Sequence, residues 1–386
     1  METKRYKLSE ISLNVTDGEH GTIKDDNNGK YFLLSCKNIK NGLINITPNE
    51  RIINEESFNK VQKRIRLEKN DVLITTVGTI GEMAIIETND INYCFQRSVG
   101  IIKPNIEIVN PHYLYYSLKN ETKQISTLIK GAVQKCLFIN DMKTIEIDLP
   151  NMKVQNKITK ILNNIDKKIK LNNEINNNLY ELMRIKFNNY VDNIEEYKES
   201  VLSKIANYKN GLAMQKFRPI NEIGLPVIKI KEMNSGISSE TEKCKSDIDD
   251  EVVINDGDVL FAWSGTLCMS IWCEGKAGLN QHIFKVTSDK YPKWFYYFWT
   301  LKYLDNFIEI AAGKATTMGH IKRTELDKAV VKIPNDKSID EMDRIFTPML
   351  NKYINNSIEN RNLIKLRDTL LPKLMNGEID LDSIDI

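Results

Sequence analysis

The chain has 386 residues, with 54 Lys and Arg against 52 Asp and Glu, a formal net charge of +2 and 41% apolar residues. That length suits two domains better than one, and the apolar content excludes a disordered protein. The balanced charge excludes a globally basic nucleic-acid binder, so any basic surface has to be local.

In chain order, the start METKRYKLSE has no apolar signal region, and no run approaches 18 apolar residues. Tyr31 to Cys36 read as a short strand, Asp71 to Thr76 as a buried strand after a turn, and Val99 to Lys103 as a third. Turns at Asn41-Gly42 and Gly78-Thr79-Ile80-Gly81 separate them. Short helices are expected over Pro111 to Ile129. No Gly or Pro then occurs from Asn151 through Asn210. Within that stretch Ile158, Ile161, Leu162, Ile165, Ile169, Ile175, Leu179 and Leu182 follow a 3-and-4 spacing, with one irregular step near Asn172. The spacing predicts a long helix from about Val154 to about Tyr190.

The same order then recurs. Val227 to Ile230, Asp258 to Phe261 and Ile283 to Val286 read as strands, with a turn at Ser235-Gly236 and short helices over Pro292 to Ile310. The aromatic run Tyr291 to Trp299 is expected to be packed core rather than a stacking surface. A second apolar stripe follows: Met342, Ile345, Phe346, Met349, Tyr353, Leu363, Leu366 and Leu370. Pro348 sits inside it and should kink the helix, or mark its true start with Thr347 as cap.

The recurrence is a repeat. Asn70-Asp71-Val72-Leu73-Ile74 matches Gly257-Asp258-Val259-Leu260-Phe261, and each is followed by a Gly-Thr pair, Gly78-Thr79 and Gly265-Thr266. Gln96 pairs with Gln281, Tyr115-Tyr116 with Tyr296-Tyr297, Gly131 with Gly313, Pro150 with Pro334 and Asn178-Leu179 with Asn362-Leu363. A period of about 185 residues is too long for a solenoid and right for a duplicated domain. The predicted organisation is a first mixed domain at 1–150, a long helix at 151–195, a second mixed domain at 196–336, and a distal helix with tail at 337–386. The fold class is α+β. A stripe that long cannot be buried on one small domain, so the two helices are expected to pair antiparallel and hold the globular parts at the ends of a rod.

The six cysteines (Cys36, Cys94, Cys136, Cys244, Cys268, Cys273) contain no CxxC pair, which points to reduced thiols and a cytoplasmic protein. GxxxxGK, GxGxxG, HExxH and GxSxG are all absent. The four histidines His20, His112, His282 and His320 are scattered, without metal-ligand spacing. Glu196-x-Lys198 and Glu121-x-Lys123 could be fragments of a nuclease site, but read as surface pairs. The expectation is a binder with no catalytic residue, metal or cofactor of its own.

Several stretches carry a family resemblance: LLPKLMNGEIDL (Leu370 to Leu381), DGEHGTI (Asp17 to Ile23), LEKNDVLITTVGTIG (Leu67 to Gly81), INDGDVLFAWSGT (Ile254 to Thr266) and CFQRSVGIIKP (Cys94 to Pro104). This ordered set resembles the specificity subunits of type I restriction-modification systems, over essentially the whole chain. The resemblance implies two target-recognition domains that read the halves of a split, asymmetric DNA site, spaced by the two helices. It also implies two partner modification subunits that methylate adenine N6 with S-adenosylmethionine, and, where present, a motor-nuclease subunit using ATP and magnesium. Two departures stand out, Pro348 and the placing of Arg97 where the second copy has His282. The alternative from another class is a coiled-coil protein-protein adaptor without DNA specificity.

Candidate DNA-binding residues lie in loops beside the recurring Gly turns. In the first copy they are Lys37, Asn38, Thr76, Gln96, Arg97, Lys130, Gln134 and Lys135. In the second they are Lys229, Lys231, Trp263, Gln281, His282, Lys314, Thr316, Thr317 and His320. Arg, Lys, Asn, Gln and His present the donors and acceptors that base edges and phosphates require. Modules lying on one DNA face would read runs about 10 bp apart.

Overall fold

The computed structural model describes residues 2–221, 223–313 and 319–381. The chain divides into two units, Met1–Asp166 with Leu366–Ile386, and Lys167–Lys365. Each is mixed α and β, and parts of both long helices belong to each.

In the first unit a four-stranded antiparallel sheet runs in the order Ser12–Asp17, Val99–Pro104, Val72–Thr75, Met83–Ile85. A three-stranded sheet places Tyr31–Leu34 between Arg51–Ile53 and Tyr93–Phe95, the last pairing being parallel. Lys4–Lys7 pairs with Glu146–Leu149. The second unit repeats this plan. Its four-stranded sheet runs Asn207–Asn210, Ile283–Thr287, Val259–Ala262, Cys268–Ile271. Leu225–Ile228 lies parallel to Ala277–Leu279, and Lys198–Val201 pairs with Val330–Ile333. The duplication predicted from the sequence is therefore a duplication of strand order and pairing. Val72–Thr75 and Val259–Ala262 are buried along their whole length, as continuous apolar runs in a sheet covered on both faces should be.

The short helices fall where predicted, Pro111–Asn120 and Thr122–Leu128 in the first unit, Lys293–Lys302 and Leu304–Gly313 in the second. Asn110 caps the first of these by accepting the His112 and Tyr113 amides. The aromatic run is core. Trp294 stacks on Phe346 with 4.6 Å between ring centroids, and Phe187 stacks on Phe298 at 5.5 Å.

The first long helix spans Met152–Asp192, opened by the Asn151 side chain, which accepts the Val154 amide at 3.0 Å. The second spans Asp336–Met375, with Asn335 accepting the Ser338 amide at 2.9 Å. It ends at Gly377, whose φ of 71° is the left-handed closure that favours glycine. Pro348 does not mark its start. Thr347 caps nothing; its hydroxyl bonds back to the Asp343 carboxylate at 2.6 Å. The helix runs through because Pro348 lies on the exposed face, so the Arg344 carbonyl left without its usual partner lies toward water. Phe346 and Leu350, either side of it, are buried.

Within each unit the helices pair antiparallel. In the first, Asp166 accepts from the Arg367 guanidinium at 2.8 Å and from the Tyr116 hydroxyl at 2.6 Å. In the second, the Asn172 amide donates to Asn360 at 2.9 Å, and the Asn356 amide donates to Asn176 at 3.0 Å. All four of these asparagines are buried. The irregular step near Asn172 is thus a polar ladder inside an otherwise apolar seam. Three expected stripe residues, Leu182, Ile345 and Leu366, are exposed instead. Beside Leu182, Met183 and Phe187 take the inward positions, and beside Ile345 the expected Phe346 does, because the neighbouring aromatic helix packs against them there.

Candidate nucleic-acid interface

Both units build one edge from the same three backbone segments. In the first, Val72–Thr75 ends on Thr76, whose N–H donates to the Ser98 carbonyl at 3.0 Å and whose carbonyl accepts the Leu137 N–H at 2.9 Å. Val77 bridges to Cys136. In the second, the Trp263 N–H donates to the His282 carbonyl at 3.2 Å, its carbonyl accepts the Ile321 N–H at 3.1 Å, and Ser264 bridges to His320.

A tight turn adjoins this edge in each unit. Glu19 N–H donates to the Phe95 carbonyl at 2.7 Å, and Val99 N–H to the Gln96 carbonyl at 3.1 Å. The counterparts are Leu212 N–H to the Leu279 carbonyl at 3.0 Å and Ile283 N–H to the Asn280 carbonyl at 3.1 Å. Gly18 and Gly211 close the turn from the side. A Cβ at either would overlap the carbonyl oxygens beneath it, those of Phe95 and Gln96 or of Leu279 and Asn280. These bonds set the equivalences: Gln96 with Asn280, Arg97 with Gln281, Ser98 with His282. The sequence pairing of Gln96 with Gln281, and of Arg97 with His282, is corrected by one residue. Two glutamines invited that match, but hydrogen-bond register decides position.

The structure sorts the first unit's candidates. Asn38 is 2% exposed; its side chain accepts the Ser35 N–H and donates to the Asn45 carbonyl, both at 2.9 Å. Its amide holds a turn and does not face a ligand. Thr76 is 2% exposed, and its hydroxyl donates to the Arg97 carbonyl at 3.3 Å. Lys37 is exposed but paired with Glu50 at 2.9 Å, and Lys130 is paired with Asp141 at 2.7 Å. Lys130 and Cys136 exchange backbone bonds at 3.0 and 2.8 Å, closing a tip on which Gln134 and Lys135 are exposed. Gln96 is half-buried, with its N–H on the Leu34 carbonyl at 2.8 Å. Arg97 is exposed, and its guanidinium makes no ion pair among the described residues. Burial pushes the Cys136 thiol up; Asp17 adds to this and Arg97 opposes it, so these charges share the edge.

In the second unit Lys229 is paired with Glu242 at 2.6 Å, and Lys231 with Glu240 at 3.7 Å. Trp263 is half-buried, stacked on Phe284 at 5.6 Å, with the His282 and His320 rings at 5.8 and 6.4 Å. Its indole N–H is buried without a hydrogen-bond partner among the described residues, and packing against Phe284 holds the ring. The Gln281 amide nitrogen lies 3.2 Å from His282 Nε2. Lys314, Thr316 and Thr317 lie outside the described residues. The edge thus gathers Gln96, Arg97, Gln134 and Lys135 in one unit and Trp263, Gln281, His282 and His320 in the other.

Sequence reasoning missed Glu19, His20, Ser98 and Cys136, which share the first unit's edge. The DGEHG stretch was the signal for Glu19 and His20, since Asp17 holds the His20 ring at 2.7 Å and Glu19 lies 3.5 Å from the Arg64 guanidinium. Among the described residues no group of three or more His, Cys, Asp or Glu could hold a metal ion. Nor, among them, is any helix long and apolar enough to cross a membrane.

Comparison with known proteins bears on what this edge serves. The family description "Type I restriction modification DNA specificity domain" matches twice, at residues 14–181 and 194–366. The chain is 24% identical over 404 residues to the type I restriction enzyme MjaIX specificity subunit of Methanocaldococcus jannaschii, covering 94% of this chain and 90% of that one. It is 21% identical over 413 residues to the HindI specificity subunit of Haemophilus influenzae, covering 82% and 88%. In fold it is similar to the S subunit of a type I restriction-modification system from M. genitalium, with a TM-score of 0.59 and 16% identity over 97% of this chain and 96% of that chain.

Proposed function

The chain belongs to the type I restriction-modification DNA specificity family, and from that premise we propose that its two units read the two halves of a split, asymmetric DNA site. It is a sequence-specific DNA-recognition subunit and is non-catalytic; its partners are DNA and the modification and restriction subunits of a type I system. The observation that carries the two-half reading is a shared backbone edge with diverged side chains. One frame repeated with different donors and rings is what two readers of different base runs need.

The finer assignments are part of this proposal. The chain binds two modification subunits, which use S-adenosylmethionine to methylate adenine N6, and in a restriction-competent system it also binds a motor-nuclease subunit using ATP and magnesium. It carries no cofactor itself and works in the cytoplasm. Methylation requires the target adenine to leave the stack and enter a partner's pocket, so this chain selects the site and holds the duplex meanwhile. Single-molecule sequencing of host DNA tests the reading. A split adenine-methylated motif should be present, and deletion of the gene should abolish it. Replacing residues 1–150 with another such module should then change one half of the motif only. A motif that survives the deletion, or changes in both halves after the replacement, refutes the reading.

A further inference from the structure

We propose that the equivalent positions Arg97 and Gln281 are the paired base-reading positions of the two units, Arg97 selecting a guanine in one half-site and Gln281 an adenine in the other. The inference rests on the proposed two-half reading and sharpens it.

Three observations carry it. First, the two residues occupy the same backbone position. Each follows the strand paired in parallel (Tyr93–Phe95, Ala277–Leu279) and precedes the central strand (Val99–Pro104, Ile283–Thr287). Each is one residue after a position whose carbonyl accepts the amide three residues on, Gln96 to Val99 and Asn280 to Ile283.

Second, the turn is rigid from both sides. Gln96 N–H is held by the Leu34 carbonyl at 2.8 Å and Arg97 N–H by the Glu19 carbonyl at 3.0 Å. Asn280 N–H is held by the Ile228 carbonyl at 3.1 Å. Gly18 and Gly211 press directly on the carbonyls of the turn. A side chain leaving such a frame starts from a defined place, which lowers the ordering cost of a two-point contact.

Third, the other candidates are largely committed elsewhere. Lys37, Lys130, Lys229 and Lys231 are ion-paired, and Asn38 and Thr76 are buried in turn hydrogen bonds. Of the four flanking positions two are spent as well: Asn280 is buried with its side-chain oxygen 3.4 Å from the His282 N–H, and the Ser98 hydroxyl accepts the Cys36 N–H at 3.0 Å. Arg97 has no ion pair among the described residues. Gln281 retains its carbonyl oxygen, with its amide nitrogen held beside His282.

The chemistry then differs by residue type. A guanidinium offers two parallel donors matched to guanine O6 and N7 in the major groove. A carboxamide offers one acceptor and one donor matched to adenine N6 and N7. Each pair discriminates against the wrong base by roughly ten- to hundredfold.

The test is selection of bound duplexes from a random pool by the full-length chain assembled with its modification subunits. Wild type should enrich a bipartite motif with an invariant G·C pair in one half and an invariant A·T pair in the other. R97Q should convert that G·C position toward A·T and leave the other half unchanged. Q281R should do the converse in the other half. R97K keeps the charge without the fork and should weaken the guanine preference while total binding falls less than in R97Q. Motifs identical to wild type in R97Q and Q281R would overturn the inference while the two-half reading stands. Uniform weakening on all sequences would mark Arg97 as a phosphate contact and also overturn it. A wild-type complex that enriches no bipartite motif would remove the proposed function, and this inference with it.

Discussion

The strand Val72–Thr75 delivers its chain to an edge of charges and small side chains: Thr76, Arg97, Ser98, Lys135 and Cys136, with Asp17 and Glu19 beside them. The strand Val259–Ala262 delivers its chain, through matching backbone bonds, to Trp263, Gln281, His282 and His320, an edge dominated by rings. The backbone scaffolds agree while the chemistry on them does not. This teaches that stability and reading are carried by separable parts. Buried strands, the glycine contacts and the long helices are common to both units, and the outward residues vary without disturbing them. The helix seam varies in the same spirit. It is closed by an Asp166–Arg367 ion pair in one unit and by an asparagine ladder in the other.

The largest expected effect tests the shared frame. Gly18→Ala and Gly211→Ala each drive a methyl into backbone carbonyls that cannot withdraw, and each should cost on the order of 4 kcal/mol. Denaturant unfolding of the full chain should show the loss in the transition of the mutated unit. If one copy tolerates alanine, the two turns are not the same device.

Next is the buried ion pair at the other end of the two strands that meet at the first edge, Val72–Thr75 and Val99–Pro104. Lys103 lies 2.9 Å from Asp71, and its replacement leaves a buried carboxylate with no cation, so Lys103→Met should cost about 3 kcal/mol at neutral pH. Burial raises the Asp71 pKa above its ordinary value, with Lys103 opposing, so removing Lys103 raises it further. A raised carboxyl is cheapest when protonated. The deficit of the variant should therefore be smallest at acid pH and grow as pH rises through and above the ordinary carboxylate range. A pH-independent deficit would show that the pair is not its source.

A smaller effect separates the two helix seams. Asn172→Leu removes the donor to the Asn360 side-chain oxygen, and should cost about 1–2 kcal/mol. The double variant with Asn360→Leu should recover much of this, because an apolar pair replaces a polar one. A double-mutant cycle on unfolding free energies measures it, and strict additivity would show that the two amides do not interact. The smallest effect concerns charge. Lys135→Ala should weaken DNA binding evenly across sequences and reduce the slope of log affinity against log salt by about 1. The second unit has Gly319 at the equivalent place, so no matching term is expected from it. An unchanged slope would place Lys135 away from the phosphates.

How much of this was legible depended on how local each signal is. The repeat was visible because buried strands after turns, such as Asp71 to Thr76 and Asp258 to Phe261, are written in consecutive residues. The first long helix was visible because its apolar spacing runs on with no Gly or Pro to interrupt it, although the Gly- and Pro-free stretch to Asn210 outlasts the helix, which ends at Asp192. The site was legible only as a neighbourhood. Lys37, Lys130, Lys229 and Lys231 looked like free cations, and their partners Glu50, Asp141, Glu242 and Glu240 are delivered by folding. Leu182, Ile345 and Leu366 fitted the helical spacing but lost the inward direction to neighbours that spacing does not encode.

The sequence by itself determined the class of each segment, the duplication and the absence of familiar catalytic motifs. Those properties follow from burial periodicity, turn residues and residue types along short stretches. Only the tertiary structure decided which residue of one copy stands where its counterpart stands in the other, which cations stay unpaired, and what the irregular step at Asn172 is for. These depend on bonds between distant parts of the chain, Thr76 to Ser98 and Leu137, Arg97 to Glu19, Asn172 to Asn360. Such bonds shift a pairing by one residue or spend a charge without leaving any mark in the local pattern.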